Sequence, residues 1–301
     1  MLKIAYHPYY IHPLKNGHRF PMEKYELIRL QLLHEGTCTL DNFFEPKVIE
    51  DYQVIMDIHD PDYVQNLLND TLEASAARKI GLPFSSQLVN RELIIVSGTL
   101  EASKFALQYG IAMNIAGGTH HAYSGHGEGF CILNDQAIAA NYLLKQRHAN
   151  RILIIDLDVH QGNGTAEIFK DEARVFTFSM HGKHNYPFDK EQSDLDIALD
   201  NDCTDNTYLK LLKNTVPKLI SEFQPDFIFY QCGVDVIASD KLGKLGLTLH
   251  GCKDRDRFIL ETCKNNKIPV VCNMGGGYSP QIKTIVDAHA NTYRLAQHIY
   301  F

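Results

Sequence analysis

Short apolar runs alternate with longer segments of helical period along this chain, and that alternation predicts a parallel α/β sheet. The strand-type runs fall at Lys3–Tyr6, Ala112–Ala116, Ile152–Leu157, Val175–Ser179, Phe227–Cys232 and Pro269–Met274. Helices are predicted over Met22–Glu35, Arg91–Gln108, Asp135–Arg147, Asp205–Glu222, Cys252–Asn265 and Pro280–His298. In the third of these Ile138, Ala139, Tyr142 and Leu143 share one face, the stripe of a helix turned toward a core. The runs RILIIDLD and DFIFYQCG are apolar at consecutive rather than alternate positions, so both faces of their sheet are expected to be covered by helices.

No Pro-, Gly- or Ser-rich linker, low-complexity tract or fixed-period repeat divides the 301 residues, and a single α/β domain over residues 1–301 with a mainly parallel sheet is expected. A composition 45% hydrophobic and 22% charged suits a soluble protein with a sizeable core. With 29 Lys and Arg against 36 Asp and Glu the net charge is −7, and the basic residues are scattered along the chain. No nucleic-acid partner is expected, and a basic or neutral substrate is easier to accommodate. The segment MLKIAYHPYY lacks the apolar core of a secretory signal, and no stretch reaches the roughly 20 apolar residues of a membrane span, so a cytoplasmic location is expected. The seven cysteines are odd in number and form no C-x-x-C pair, which argues against a disulfide framework or a zinc ribbon.

Chemistry-bearing residues gather just after the strand-type runs, at Gly117–His121, Asp158–Gly164, Gly233–Asp240 and Gly275–Tyr278. Open α/β sheets bind ligands beyond the carboxyl ends of their strands, so the four loops are expected to converge. Asp158 and His160 lie two residues apart at a strand end, where alternation points both the same way, and Asp156 shares their parity. Asp235 occupies the same kind of position after another strand and can supply a third ligand. Two carboxylates, an imidazole and an open position for water make a catalytic rather than a structural zinc site. Taken singly, each residue could instead cap a helix or satisfy a loop. Binuclear manganese enzymes of the arginase kind use similar strings.

The motifs His120-His121, Gly129-Phe130-Cys131, Asp156-x-Asp158-x-His160, Gly233-x-Asp235 and Gly275-Gly-Gly-Tyr278 follow one another in this order. In that order they resemble the zinc-dependent histone deacetylase family of the arginase/deacetylase superfamily, and the likeness runs from about Tyr6 to the last helix. The resemblance implies an arginase/deacetylase-like fold and zinc held by Asp158, His160 and Asp235, a set that also tolerates ferrous iron. It implies that His121 is the general base, His120 its electrostatic partner oriented by Asp156, and Tyr278 the hydroxyl donor to the substrate carbonyl. It places Phe130, Tyr186, Gly129 and Leu242 along a narrow acyl-lysine tunnel. It also implies a structural potassium ion at the backbone of Asp156, Asp158 and His160 with Ser179 and Met180. Arg19 aligns with an arginine of the family's inner product channel, or is a surface arginine.

Two departures from the commoner pattern, Gln161 and Asn163, together with Asp240-Lys-Leu-Gly-Lys-Leu-Gly, resemble the class IV branch. An amide at Asn163 can orient His121 but cannot stabilise its cation by charge, so a less basic His121 is expected. The implied activity is hydrolysis of acyl-lysine in a protein or peptide, with acyl chains longer than acetyl as a class IV trait. Acetylpolyamines or other small acylated amines are an alternative substrate, an acyl-lysine binder without catalysis is a reading of another class, and an arginase-like ureohydrolase is a third.

Overall fold

The computed structural model describes residues 1–301. Eight strands form one sheet: β1 (Lys3–Ala5), β2 (Phe43–Phe44), β3 (Ile111–Asn114), β4 (Ile152–Asp156), β5 (Val175–Gly182), β6 (Leu195–Leu199), β7 (Phe227–Gln231) and β8 (Val270–Asn273). Their order across the sheet is β2-β1-β3-β8-β7-β4-β5-β6, and every neighbouring pair is parallel. The helices are α1 (Lys24–His34), α2 (Gln53–Met56), α3 (Pro61–Leu68), α4 (Ala74–Ile80), α5 (Ser86–Tyr109), α6 (Asp135–Lys145), α7 (Asn163–Phe169), α8 (Asp205–Phe223), α9 (Leu249–Asn265) and α10 (Ile282–Tyr300).

Every residue of β3, β4, β7 and β8 is buried, as the continuous apolar runs required. One helix layer runs α1-α10-α9-α8, and a second is built on α5 and α6 with α7 beside them. Together with the sheet they enclose one contiguous core of 81 buried residues, in which Ile138, Ala139 and Leu143 are fully covered and Tyr142 sits at the edge. All seven cysteines are free, and six are buried. No helix is long and apolar enough to cross a membrane.

All six predicted strands are present within a residue or three of their expected ends. Both edge strands, β2 and β6, went unpredicted: two half-buried phenylalanines and the mixed segment LDIAL carry no continuous apolar signal. The short helices α2, α3, α4 and α7 also went unpredicted, because four to eight residues give too little period to read. Helix α5 begins at Ser86 rather than Arg91, since the Ser85 side chain accepts the Leu88 amide and caps it.

Two buried polar clusters fix the carboxyl edge of the sheet. Arg255 of α9 is fully buried and donates to the carbonyls of Leu157, Gly233 and Cys232 at 3.0, 2.7 and 3.2 Å, the backbone at the ends of β4 and β7. Its charge is met by Asp256, which also accepts from the Tyr230 and Thr292 hydroxyls at 2.5 and 2.6 Å. On the other face Asp135 accepts from the amides of Gly118 and Thr119 at 3.0 and 2.9 Å and from Asn273 Nδ2 at 2.8 Å. Arg255→Met leaves Asp256 buried without its cation and three carbonyls without a donor, so it should cost about 3–5 kcal/mol. Urea unfolding checks this, and a loss below about 1 kcal/mol would show that the guanidinium is dispensable.

Candidate active site

The four loops singled out by residue type leave β3, β8, β7 and β4, which are adjacent strands at the middle of the sheet. Parallel strands end on one side, so these loops meet. They bring Asp158, His160 and Asp235 together, each under a tenth exposed, with one ligand atom of each within 4.8 Å of the others. His160 Nδ1 lies 3.1 Å from both Asp158 Oδ1 and Asp235 Oδ2. The second oxygens are held by backbone amides, Asp158 Oδ2 by Gly276 at 2.8 Å and Asp235 Oδ1 by Val159 at 3.0 Å. A Cβ at Gly276 would run into Asp235 Oδ2, so only glycine lets the chain close over the carboxylates.

Burial and then the neighbouring Asp158 charge raise the Asp235 pKa to about 7. Burial also opposes charge on His160, yet bonding to the two carboxylates drives its pKa up to about 10. The only ion-pair partner of either carboxylate is this imidazole. Two carboxylates, each anchored by a backbone amide, and the imidazole beside them form a donor set that fits a divalent cation.

The histidine pair flanks this cluster. His120 Nδ1 sits 2.7 Å from Asp156 Oδ2. Burial works against a charge on His120, but Asp156 outweighs it and raises the pKa. His121 Nδ1 sits 2.6 Å from Asn163 Oδ1. The direction of that bond follows from the far side of the amide, where Asn163 Nδ2 faces Glu128 Oε1 at 2.7 Å and the Tyr123 hydroxyl at 3.0 Å. An ionised carboxylate only accepts, so the amide nitrogen belongs beside Glu128 and the amide oxygen beside His121. His121 therefore carries its proton on Nδ1 and has a free lone pair on Nε2. Burial, reinforced by His120 and His160, holds its pKa well below the usual imidazole range, and it is neutral at pH 7.

Glu128 escaped the sequence reading, as its setting in Gly-Glu-Gly-Phe signals only a turn. Besides Asn163 it accepts the Tyr186 hydroxyl at 2.5 Å. Burial pushes its pKa up, but bonds from His126, Tyr186 and Asn163 hold it below the usual range. Lys24 also escaped notice, and Asp240 registers in the sequence only as part of a class IV-like string. Asp240 accepts the backbone amides of Tyr278, Leu242 and Gly243 at 2.6, 2.8 and 2.9 Å and so fixes the tyrosine loop. Lys24 is fully buried, donates to the Gly275 carbonyl at 3.0 Å and lies 5.5 Å from the Tyr278 ring; burial lowers its pKa to about 8. Burial and the Asp235 and Asp158 charges push the Tyr278 hydroxyl well above its usual range, so it stays a donor.

A cleft of about 320 Å³ opens onto His121, His160 and Tyr278, and Gly129, Phe130, Tyr186 and Leu242 all line it. The Tyr186 ring stands edge-on to His121 at 5.0 Å. Phe130 is held in the left-handed region at φ 70°, a strained conformation for a bulky residue, by the bond from its amide to the Ile80 carbonyl at 2.7 Å. Behind the cleft a smaller cavity of about 40 Å³ is lined by Phe20, Tyr25, Arg91 and Cys131 among others. Arg19 does not reach it. That side chain is exposed at the outer mouth, its guanidinium 4.9 Å from the Phe130 ring centre, and the arginine of the inner cavity is Arg91, paired with Glu92. Register sets Asp156 beside Ser179, with Met180 following, and the Ser179 hydroxyl meets His181 Nδ1 at 2.9 Å.

A model of the histone deacetylase domain matches residues 18–293 of the chain. An uncharacterised protein of Picosynechococcus is 44% identical over 99% of both chains. The acetoin utilization protein AcuC of Staphylococcus aureus is 31% identical over 87% of this chain and 73% of its own, and histone deacetylase 2 of Arabidopsis thaliana is 27% identical over 92% and 74%. Among solved structures the HDA15 HD domain superposes with a TM-score of 0.80 at 19% identity, covering 97% of this chain and 87% of that one, a likeness of fold. The chain belongs to the histone deacetylase family, within the arginase/deacetylase superfamily.

Proposed function

We propose that this chain is a metal-dependent lysine deacylase of class IV type, hydrolysing acyl-lysine amides with zinc, or ferrous iron in cells, held by Asp158, His160 and Asp235. One observation carries the proposal: a neutral His121 with its Nε2 lone pair free lies at the floor of the same narrow cleft as His160 and Tyr278. Gln161 and Asn163 in the metal-loop motif support the class IV assignment.

When bound, the metal supplies Lewis-acid polarisation of the amide carbonyl and lets a water lose its proton near neutral pH. His121 Nε2 takes that proton and later returns it to the leaving lysine amine, while Nδ1–H stays on Asn163. His120, its pKa raised by Asp156, favours as a cation the negative charge that develops beside it. Tyr278 donates its hydroxyl to the carbonyl oxygen as that charge grows. Phe130 and Tyr186 flank the lysine stem, with Gly129 and Leu242 completing the wall. A structural potassium ion at Asp156, Asp158, His160, Ser179 and Met180 belongs to the same proposal, supported by the pairing of Asp156 with Ser179 across β4 and β5.

The inner cavity of about 40 Å³ has room for about three waters, which supports acetyl or a similarly short acyl group over the longer chains that a class IV likeness implies. Assayed on lysine peptides from acetyl to myristoyl, the zinc-loaded protein should turn over acetyl fastest. Rates that rise with chain length would reverse this.

Chelation should abolish hydrolysis of an acetyl-lysine peptide and added zinc restore it. Tyr278→Phe should keep its zinc and lose about 10²- to 10³-fold in kcat; a variant within twofold of the parent would remove Tyr278 from the chemistry. Asn163→Asp places a carboxylate against His121 Nδ1–H, stabilises the imidazolium and raises the His121 pKa. Only neutral His121 acts as base, so the acidic limb of the pH–rate profile should move to higher pH. The new carboxylate also meets Glu128, and adding Glu128→Gln should relieve that repulsion, with the limb kept high and the rate partly recovered. An acidic limb that stays put in both variants would mean that it does not report His121.

A further inference from the structure

The mouth of the cleft carries a charge opposite to that of the chain. Arg19, Arg78, Lys79 and Lys244 line it, all four exposed, and no Asp or Glu lines it. With 29 basic against 36 acidic residues, four charged positions taken at random would all be basic in about one case in 25. None of the four has an ion-pair partner. Among neighbouring carboxylates, Asp189 follows the lining Phe188 and is exposed, whereas Asp240 and Glu128 are already bonded. Asp240 is engaged by three backbone amides and Glu128 by Tyr186 and Asn163.

Ordinary helix capping explains part of this. Arg78 and Lys79 sit in the last turn of α4, where the helix dipole favours cations. It does not explain the other two. Arg19 precedes α1 and spreads its guanidinium over Phe130, a wall of the cleft. Lys244 follows Asp235 in a loop and donates to the carbonyl of His184, another lining residue, at 2.9 Å, which holds its ammonium at the cleft. The α4 end is also tied to the wall, since the amides of Gly129 and Phe130 donate to the Lys79 and Ile80 carbonyls at 3.2 and 2.7 Å. Three separate segments thus present cations around one opening.

We propose that this rim selects acyl-lysines embedded in acidic sequence, accepting carboxylates of residues next to the acylated lysine while its side chain enters the cleft. The proposal rests on the deacylase function above and narrows its substrate. It disfavours acetylated polyamines, whose remaining ammonium groups would meet four cations at the entrance. Such charges outside the reacting centre act on encounter and on discrimination between partners, and their effect is screened by salt.

The test uses zinc-loaded full-length protein and acetyl-lysine peptides of one length flanked by Asp, Ala or Lys, with free Nε-acetyl-lysine and N-acetylspermidine alongside. The Asp-flanked peptide should exceed the Lys-flanked one in kcat/KM by about tenfold or more at low ionic strength, and the ratio should shrink as salt rises. The doubly substituted Arg78→Glu, Lys79→Glu protein should invert the order, and Lys244→Glu should reduce the preference. Equal rates on the three peptides, a preference that salt and charge reversal leave unchanged, or faster turnover of N-acetylspermidine would overturn the rim proposal while leaving the hydrolase intact. Failure to cleave any of these substrates while zinc is bound would instead overturn the deacylase reading, a distinguishable result.

Discussion

Two carboxylates held side by side in the protein interior, Asp158 and Asp235, are the constraint around which the rest of the molecule is organised. Each is almost wholly removed from water, and that burial, reinforced by their mutual repulsion, lifts Asp235 to about 7. Burial of this kind survives only if every outer oxygen is satisfied and the inner face is given to a cation. The fold supplies the first condition through backbone amides of Val159 and Gly276, which come from separate strand ends. Arg255 in turn sets the ends of β4 and β7, gripping the carbonyls behind the Asp158 and Asp235 loops. The donor set supplies the second. A central, all-parallel sheet is the scaffold that brings four such loops to one edge.

From the carboxylates outward, the polar groups form a directed chain. Glu128 orients the Asn163 amide, the amide fixes the His121 tautomer, and the same Glu128 takes the Tyr186 hydroxyl at the cleft wall. The His121 imidazole and the cleft wall thus share one anchor. An aspartate in place of Asn163 would supply charge to the imidazole directly. Here the charge sits one residue further out, and burial beside His120 and His160 keeps His121 neutral. His120 has the opposite environment, with Asp156 in direct contact. Adjacent histidines on one loop thus have their pKa values moved in opposite directions, up at His120 and down at His121.

Net charge does not report the charge at the cleft's entrance. An overall charge of −7 suggests a basic or neutral ligand, whereas the entrance presents four cations and no carboxylate. Only groups within about a Debye length, roughly 10 Å, of the opening steer what approaches it. A sum over the whole chain does not contain that information.

The sequence alone determined the sheet's inner strands, the longer helices and the residues that meet in the buried carboxylate–imidazole cluster and the histidine pair. Buried parallel strands must be apolar along their length, and residues that share a site at strand ends fall at fixed short spacings such as Asp156-x-Asp158-x-His160. What it missed depends on partners distant along the chain. The edge strands β2 and β6 pair on one side only and keep mixed composition. Glu128 is defined by Asn163 and Tyr186, 35 and 58 positions away. Arg91, not Arg19, reaches the inner cavity because α5 runs beneath it while the Arg19 loop stays outside. The basic rim needs three segments folded to one opening. Local period and short motifs register in sequence because neighbours along the chain produce them; a cavity, its charge and a tautomer are properties of groups that only the tertiary structure brings within reach of one another.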